Sequence, residues 1–281
     1  MMRDISVLLP VYHGDDKIKL RKTAQSIFNQ TVQPNEVIIG IDGDIPNQLA
    51  EEIQDWKSKY EDRVNYFQND QNMGLGATLR KGVKECSNDL IARIDADDQS
   101  VPSRLERQLS YMHSNPELDV VGGYMADKRH TQGEFSEIRK VPSSHQDILR
   151  MGKYRNPLNH PTVMMRKSAV LSAGNYSDLR YIQDYELWGR MLNEGYRFAN
   201  IPVVLSFATS DNTENSDSLS QRRGGMEYIQ YEITVNRKLH SEGFLTKYQA
   251  LRNVLSRIPV RLIPSGMRER VYKTLLRDNS S

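Results

Sequence analysis

Up to Asp98 the chain alternates between short apolar runs and longer stretches whose apolar residues recur at helical spacing. Ile5-Ser6-Val7-Leu8-Leu9 has the length and β-branched content of a buried strand, and Pro10 is expected to end it. From Lys17 to Gln30, the residues Leu20, Ala24, Ile27 and Phe28 share one face of a predicted helix. A second strand is predicted from Glu36 to Ile41. A second helix follows from Pro46 to Tyr60, with Pro46 suited to its first turn, and a third strand from Val64 to Phe67. Gln71 to Gly76 reads as a turn, Ala77 to Cys86 as a helix and Leu90 to Ile94 as a fourth strand. Such an alternation, with no internal repeat, predicts an α/β fold whose mostly parallel sheet is covered by helices on both faces.

Beyond Asp98 the rhythm changes. A helix is expected from Pro102 to Asn115, a glycine-containing strand from Asp119 to Tyr124, and an irregular polar stretch or edge hairpin from Lys128 to Val141. A short helix is expected from His145 to Gly152 and a strand from Thr162 to Met165. A helix opens at Gln183 and runs to about Glu194, and one or two strands lie between Arg197 and Thr209. Ser210 to Ser220, rich in Asp, Asn and Ser, reads as a mobile loop or boundary, and only helices are predicted after it.

With 281 residues, 38% hydrophobic and 26% charged, the chain is long enough for one large α/β domain or two small ones. A formal net charge of +2 gives no reason to expect nucleic acid. One cysteine, Cys86, excludes an internal disulfide framework and suits a reducing cytoplasm. The start, Met1-Met2-Arg3-Asp4, runs straight into a strand, which reads as no signal peptide, and no apolar run approaches the ~20 residues of a membrane span.

The chemistry is concentrated where the fourth strand stops. Asp95, Asp97 and Asp98 stand there, and ligands of open α/β sheets bind beyond the carboxyl ends of strands. Crowded like charges call for a cation, and Mg²⁺ or Mn²⁺ with phosphate oxygens would meet that need. An acidic turn capping the next helix is the other reading. The Asn72-Met73-Gly74-Leu75-Gly76 turn is not a dinucleotide fingerprint, because Leu79 stands where a third glycine belongs. Downstream, Asp184 and Glu186 open a helix, either as dipole-favoured first-turn acids or with one of them as a general base. His160, between Asn159 and Pro161, is either a substrate contact or a satisfied loop residue.

Taken in order, these stretches resemble the family 2 inverting glycosyltransferases of the GT-A fold. The resemblance runs through Ile5 to Tyr12, Asp42-Gly43, Asn72 to Gly76, and Arg93-Ile94-Asp95-Ala96-Asp97-Asp98 with Pro102 and Arg104. It continues through Asn159 to Tyr176 and Asp184-Tyr185-Glu186-Leu187-Trp188, and so covers roughly residues 3 to 210. The Asp-x-Asp-Asp form is similar to that of β1,3-galactosyl- and β1,3-glucosyltransferases acting on lipid-linked amino sugars in O-antigen or capsule synthesis.

The resemblance implies a Rossmann-like nucleotide-binding half over residues 1–98 and an acceptor-binding half over 99–210. Pro10, Val11 and Tyr12 would line the base pocket, Asp42 would recognise uracil, and Gly74 and Ala96 would lie against the nucleotide sugar. Asp95 would face the ribose, and Asp97 would hold Mn²⁺ or Mg²⁺ on the diphosphate. Arg93 would steady the cluster, Asp184 would be the catalytic base, and His160 and Trp188 would contact the acceptor. Many members have Glu where this chain has Gln183, which removes one charge beside the base. The implied reaction moves a hexose, galactose first and glucose second, from a UDP-sugar to an undecaprenyl-diphosphate-linked saccharide, forming a β-linkage. The competing functions are a nucleotide-sugar-binding protein without catalysis and a sugar-nucleotide synthesising transferase. The latter's glycine-rich, Arg-containing first loop is replaced here by Pro10-Val11-Tyr12-His13-Gly14.

Residues 211–281 are expected to form a helical C-terminal extension. From Arg237 to Arg277 there are ten Lys or Arg against two Glu. Leu245, Tyr248, Leu251, Leu255 and Ile258 recur at helical spacing, as do Val271, Leu275 and Leu276. Such basic amphipathic helices either lie on an anionic membrane, here the cytoplasmic face of the inner membrane, or pack on the domain with a solvated basic face.

Overall fold

The computed structural model describes residues 4–128, 135–209 and 224–263. The first region follows the predicted alternation: β1 (Ile5–Tyr12), α1 (Lys17–Phe28), β2 (Glu36–Asp42), α2 (Asn47–Tyr60), β3 (Val64–Gln68), α3 (Leu75–Glu85) and β4 (Leu90–Arg93). Then come β5 (Asp98–Ser100), α4 (Arg104–Ser114), β6 (Val120–Lys128), β7 (Phe135–Arg139), α5 (His145–Gly152), β8 (Met164–Arg166), α6 (Lys167–Ser172), α7 (Gln183–Asn193) and β9 (Phe198–Thr209). Two helices, α8 (Gly225–Ser241) and α9 (Lys247–Leu262), complete the described chain. The expected loop from Ser210 to Ser220 and the leucine repeat from Val271 to Leu276 lie outside the described residues.

All of these strands join one sheet, in the order β3-β2-β1-β4-β8-β6-β9-β5, with β7 paired to β6. The β3-β2-β1-β4 portion is parallel, as is the β6–β9 pair. Around them β8, β5 and β7 run antiparallel to their neighbours. Strand pleating sends Ile5, Val7, Leu9 and Val11 to a core under α1, α2 and α4. Leu8 goes to a second core under α3, α5, α6 and α7.

Pro10 does not end β1 as expected. The Leu8 carbonyl accepts from the Ile94 amide, so that side of β1 faces β4. Pro10, two residues on, turns its missing donor to the same side, beyond the last paired residue Arg93. No ladder hydrogen bond is lost there. Further along, the strand expected from Thr162 starts later, because Pro161 sits in a 3₁₀ turn over His160–Thr162. Two short elements, β5 and α6, had no counterpart in the expected pattern.

Candidate active site

Parallel register brings Tyr12 opposite Asp42 at the carboxyl ends of β1 and β2, beside the end of β4. Pro10 and Val11 are buried there, and Tyr12 is partly exposed. The Asp42 carboxylate organises the next loop. One oxygen accepts from the Met73 amide at 2.8 Å and from Asn69 Nδ2 at 3.1 Å, and the other accepts from the Gly74 amide at 2.8 Å. This turn holds Gly74 at φ 90°, a conformation that side chains disfavour. At Gly76 the constraint is space, since an added Cβ would lie 2.3 Å from the Ser177 carbonyl oxygen. The glycine turn therefore lets α3 approach the loop before α7, not only the sheet.

After β4 the chain turns tightly, with the Asp98 amide donating to the Asp95 carbonyl at 3.2 Å. The Thr23 hydroxyl of α1 lies 2.8 and 2.7 Å from the carbonyl oxygens of Ala96 and Asp98, which anchors the turn to the first helix. Buried Arg93 forms a two-bond ion pair with Asp95. Its carbonyl accepts from Arg104 Nη2 at 2.7 Å. Burial and the neighbouring Arg93 charge push the Arg104 guanidinium down to about 9.

Asp95, Asp97 and Asp98 each present a carboxylate oxygen within 4.8 Å of the others. Asp97 is exposed, Asp95 partly exposed and Asp98 buried. Burial pushes Asp95 up, and Asp97 and Asp184 add to the shift against the opposing Arg93. Asp98 is pushed up by burial and by the charges of Asp95 and Asp97. Three carboxylates thus outnumber the charges of Arg93 and, at Asp98, Arg139; this is a set of hard oxygen donors with an excess of negative charge, and its chemistry fits a divalent ion.

Across from this cluster, α7 begins after Ile182, a β-branched residue held at φ 63°. Strain of this kind collects at functional sites. Asp184 Oδ1 accepts from the Tyr185 amide at 2.8 Å, and Oδ2 accepts from Asn156 Nδ2 at 2.5 Å. The Asn156 Oδ1 accepts from the Leu158 amide at 3.1 Å, so the Asn156 amide nitrogen must face the carboxylate. His160 Nδ1 lies 3.8 Å from Asp184 Oδ2, and its Nε2 is 2.8 Å from the Tyr176 hydroxyl. Burial, with the Arg93 charge, pushes His160 well below the usual imidazole range, so it is neutral at pH 7. The ring thus stands between the Asp184 carboxylate and the Tyr176 hydroxyl, which also lies 3.9 Å from Met165 Sδ.

Trp188 was expected to contact the acceptor. It is fully enclosed, meeting His160 edge-on at 5.9 Å between ring centres. It also meets the Tyr176 ring at 6.3 Å. Glu186, two residues after Asp184, is also fully buried and turned away. It accepts from Arg190 Nε at 2.6 Å, Lys238 Nζ at 2.8 Å and Ser177 Oγ at 2.8 Å. Burial would raise its carboxyl, but the bonds from Arg190 and Lys238 outweigh that and hold it below the usual range.

Asn156, Tyr176 and Thr23 belong to this arrangement and were not expected. Asn156 precedes Pro157 in a turn-forming pair, the only local signal it carries. Cys86 is buried at the end of α3, and burial pushes its thiol up to about 12.

A family model described as glycosyl transferase family 2 matches residues 6–174. The UDP-Gal:alpha-D-GlcNAc-diphosphoundecaprenol beta-1,3-galactosyltransferase of Escherichia coli is 33% identical, over 97% of this chain and 96% of its own length. The amylovoran biosynthesis glycosyltransferase AmsE of Erwinia amylovora is 32% identical, over 92% of this chain and 96% of its own. The crystal structure of S. aureus TarS 1–349 in complex with UDP-GlcNAc superposes with a TM-score of 0.65 at 15% identity, covering 92% of this chain and 72% of that one. That likeness places the fold among the GT-A transferases.

Proposed function

The chain belongs to glycosyl transferase family 2, and from that premise we propose that it transfers a hexose from a UDP-sugar to a lipid-linked saccharide by a single inverting displacement. The observation that carries this reading is the pairing of two unlike acidic centres. One is the cation-poor cluster of Asp95, Asp97 and Asp98. The other is Asp184, near enough that its charge acts on Asp95.

In this reading Pro10, Val11, Tyr12, Asp42 and Gly74 form the uridine end of the donor site. Asp95 and Ala96 face the ribose and the sugar. Asp97 would hold a divalent cation, Mn²⁺ or Mg²⁺, which would supply charge compensation to the diphosphate. Arg93 keeps Asp95 in place, and Arg104 fixes the Arg93 backbone. Asp184 takes the proton from the attacking acceptor hydroxyl. Its second oxygen is aimed by Asn156, and neutral His160 borders it. A carboxylate on the face opposite the leaving group gives inversion, so an α-linked donor yields a β-glycoside. Two carboxylates flanking the bond ~5 Å apart would instead serve a retaining hydrolase.

Residues 1–98 serve the nucleotide and 99–210 the acceptor. The name of the Escherichia coli relative supports galactose as the first donor to try and a β1,3 linkage. The process served in this reading is O-antigen or capsular polysaccharide synthesis. A chain working on such an acceptor stands at the cytoplasmic face of the inner membrane.

The test is a donor screen with a synthetic amino-sugar–diphosphate–lipid acceptor, the product linkage being read by NMR. Transfer of galactose with a β-linkage is expected. UDP-sugar binding without turnover would leave a binding protein, and an α-linked product would overturn the single displacement.

A further inference from the structure

The last described helix, α9, is docked inside out. Its inward face is polar: Arg257 Nη1 and Arg261 Nη2 meet the buried carboxylate of Glu232 on α8 at 2.5 and 2.8 Å. Arg252 Nη2 and Asn253 Nδ2 donate to the Lys153 carbonyl at 2.9 and 3.1 Å. Arg252 also lies over the Tyr154 ring at 3.9 Å. Arg252, Arg257 and Arg261 are therefore engaged by the protein, whereas Lys247 is exposed. The basic residues from Arg268 to Arg277 lie outside the described residues.

Tyr248, Leu251, Leu255 and Leu262 point the other way and are 55 to 74% exposed. Their spacing makes a continuous stripe along one side of the helix. Between Lys247 and Leu262 there is no acidic residue, and exposed Lys247 stands beside Tyr248 at one end. A helix that turns leucines outward while its arginines hold it down needs an apolar partner for that side.

The docking also ties this face to the acceptor side of the site. Lys153 and Tyr154, gripped by α9, lead within a few residues to Asn156, which holds Asp184. Among the described residues no helix is long and apolar enough to cross a membrane, so contact with lipid would be with its surface.

We propose that the Tyr248–Leu251–Leu255–Leu262 face of α9 inserts shallowly into the lipid bilayer that carries the acceptor. This rests on the lipid-linked acceptor of the preceding reading. It adds that the attachment is mainly apolar, with Lys247 and Tyr248 suited to the headgroup level. Membrane contact would then set the Asn156–Asp184 loop beside the point where a lipid-bound saccharide emerges.

Flotation of the full chain with vesicles of phosphatidylethanolamine and phosphatidylglycerol tests this. The intact protein should float with the vesicles. The double substitution Leu251→Gln, Leu255→Gln should lower partitioning at least ~10-fold, because two apolar side chains no longer leave water. High salt should release less protein than the substitution does, and turnover of a short-chain, water-soluble acceptor should be unchanged. Flotation that depends on Leu251 and Leu255 in a chain showing no transfer would uphold this surface while the transferase reading fails. Equal flotation of the double variant, or full release by salt alone, would overturn the proposal. So would a lipid-free dimer that the same substitutions dissociate, since a second copy would then be the partner.

Discussion

The acidic turn after β4 and the acidic start of α7 use the same residue chemistry under opposite electrostatic conditions. At the turn, Asp95, Asp97 and Asp98 outnumber the nearby guanidinium charges of Arg93 and Arg139, and burial together with mutual repulsion pushes Asp95 and Asp98 upward. At α7, Glu186 is buried too, yet Arg190 and Lys238 hold it below its ordinary range. Between these extremes stands Asp184, partly exposed and bonded to neutral donors. The difference separates work from support. A carboxylate short of positive charge awaits a ligand, whereas one with its charge already matched inside the protein serves the fold.

The largest effect expected from this contrast is at Asp97. Asp97→Ala should abolish transfer and the metal-dependent part of UDP binding, measured by calorimetric titration with and without Mn²⁺. Thermal stability should hardly change, because the side chain is exposed. Full activity of this variant in the presence of a chelator would end the metal reading. Asp184→Asn comes next. Turnover should fall at least ~10²-fold, the low end for loss of a general base, with UDP-sugar affinity nearly unchanged. Were Asp184 only a helix cap, Asn would serve as well, and the rate would not move.

The region before Asp98 was legible because β1 and β2 are largely apolar runs buried on both faces, and the exposed β3 is still a short β-prone segment set between two helical patterns. The acidic cluster stood out for the same reason, at the end of such a run. What was hidden depends on distant contacts. Strand β5 is the polar sequence Asp98-Gln99-Ser100, and it is a strand only because Ser206 to Ala208 pair with it. Helix α6 has 6 residues, too few to show a period. Asn156 meets Asp184 across 28 residues, and nothing near either residue announces the bond. The left-handed Ile182 runs against its own propensity. Helix α9 shows a periodic apolar stripe in sequence, but periodicity alone does not say which side faces in. Glu232, on another helix, decides it.

Asn156 sharpens the contrast at a smaller scale. Its amide nitrogen is committed to Asp184 because its oxygen is committed to Leu158. Asn156→Ala should leave the Asp184 carboxylate in place but less well aimed. A loss of roughly 10-fold in kcat, with KM for the UDP-sugar unchanged, is the expected result of slight misplacement. Asn156→Asp should lose more, since an acceptor would then face an acceptor. A KM change without a kcat change would move Asn156 to the donor site instead.

The smallest effect on chemistry is expected at Glu186, and the largest on stability. Glu186→Gln keeps the size of the side chain but offers an amide where Arg190 and Lys238 both donate. Removing the charge should cost roughly 3 kcal/mol, the lower end for breaking a buried pair, since Lys238 is partly solvated. Turnover per folded molecule should stay near that of the parent chain. The pH dependence follows from the lowered carboxyl. The native state favours the ionised form more than the unfolded chain does. Its contribution is therefore complete above the ordinary glutamate range and is lost as pH falls through the lower folded value. Urea melts should separate the parent and Glu186→Gln most widely near neutral pH and bring them together in acid. A gap that stays constant into acid would remove the charge from the explanation. A greater loss of turnover at 186 than at 184 would reverse the roles of the two carboxylates, because the buried one would then be the base.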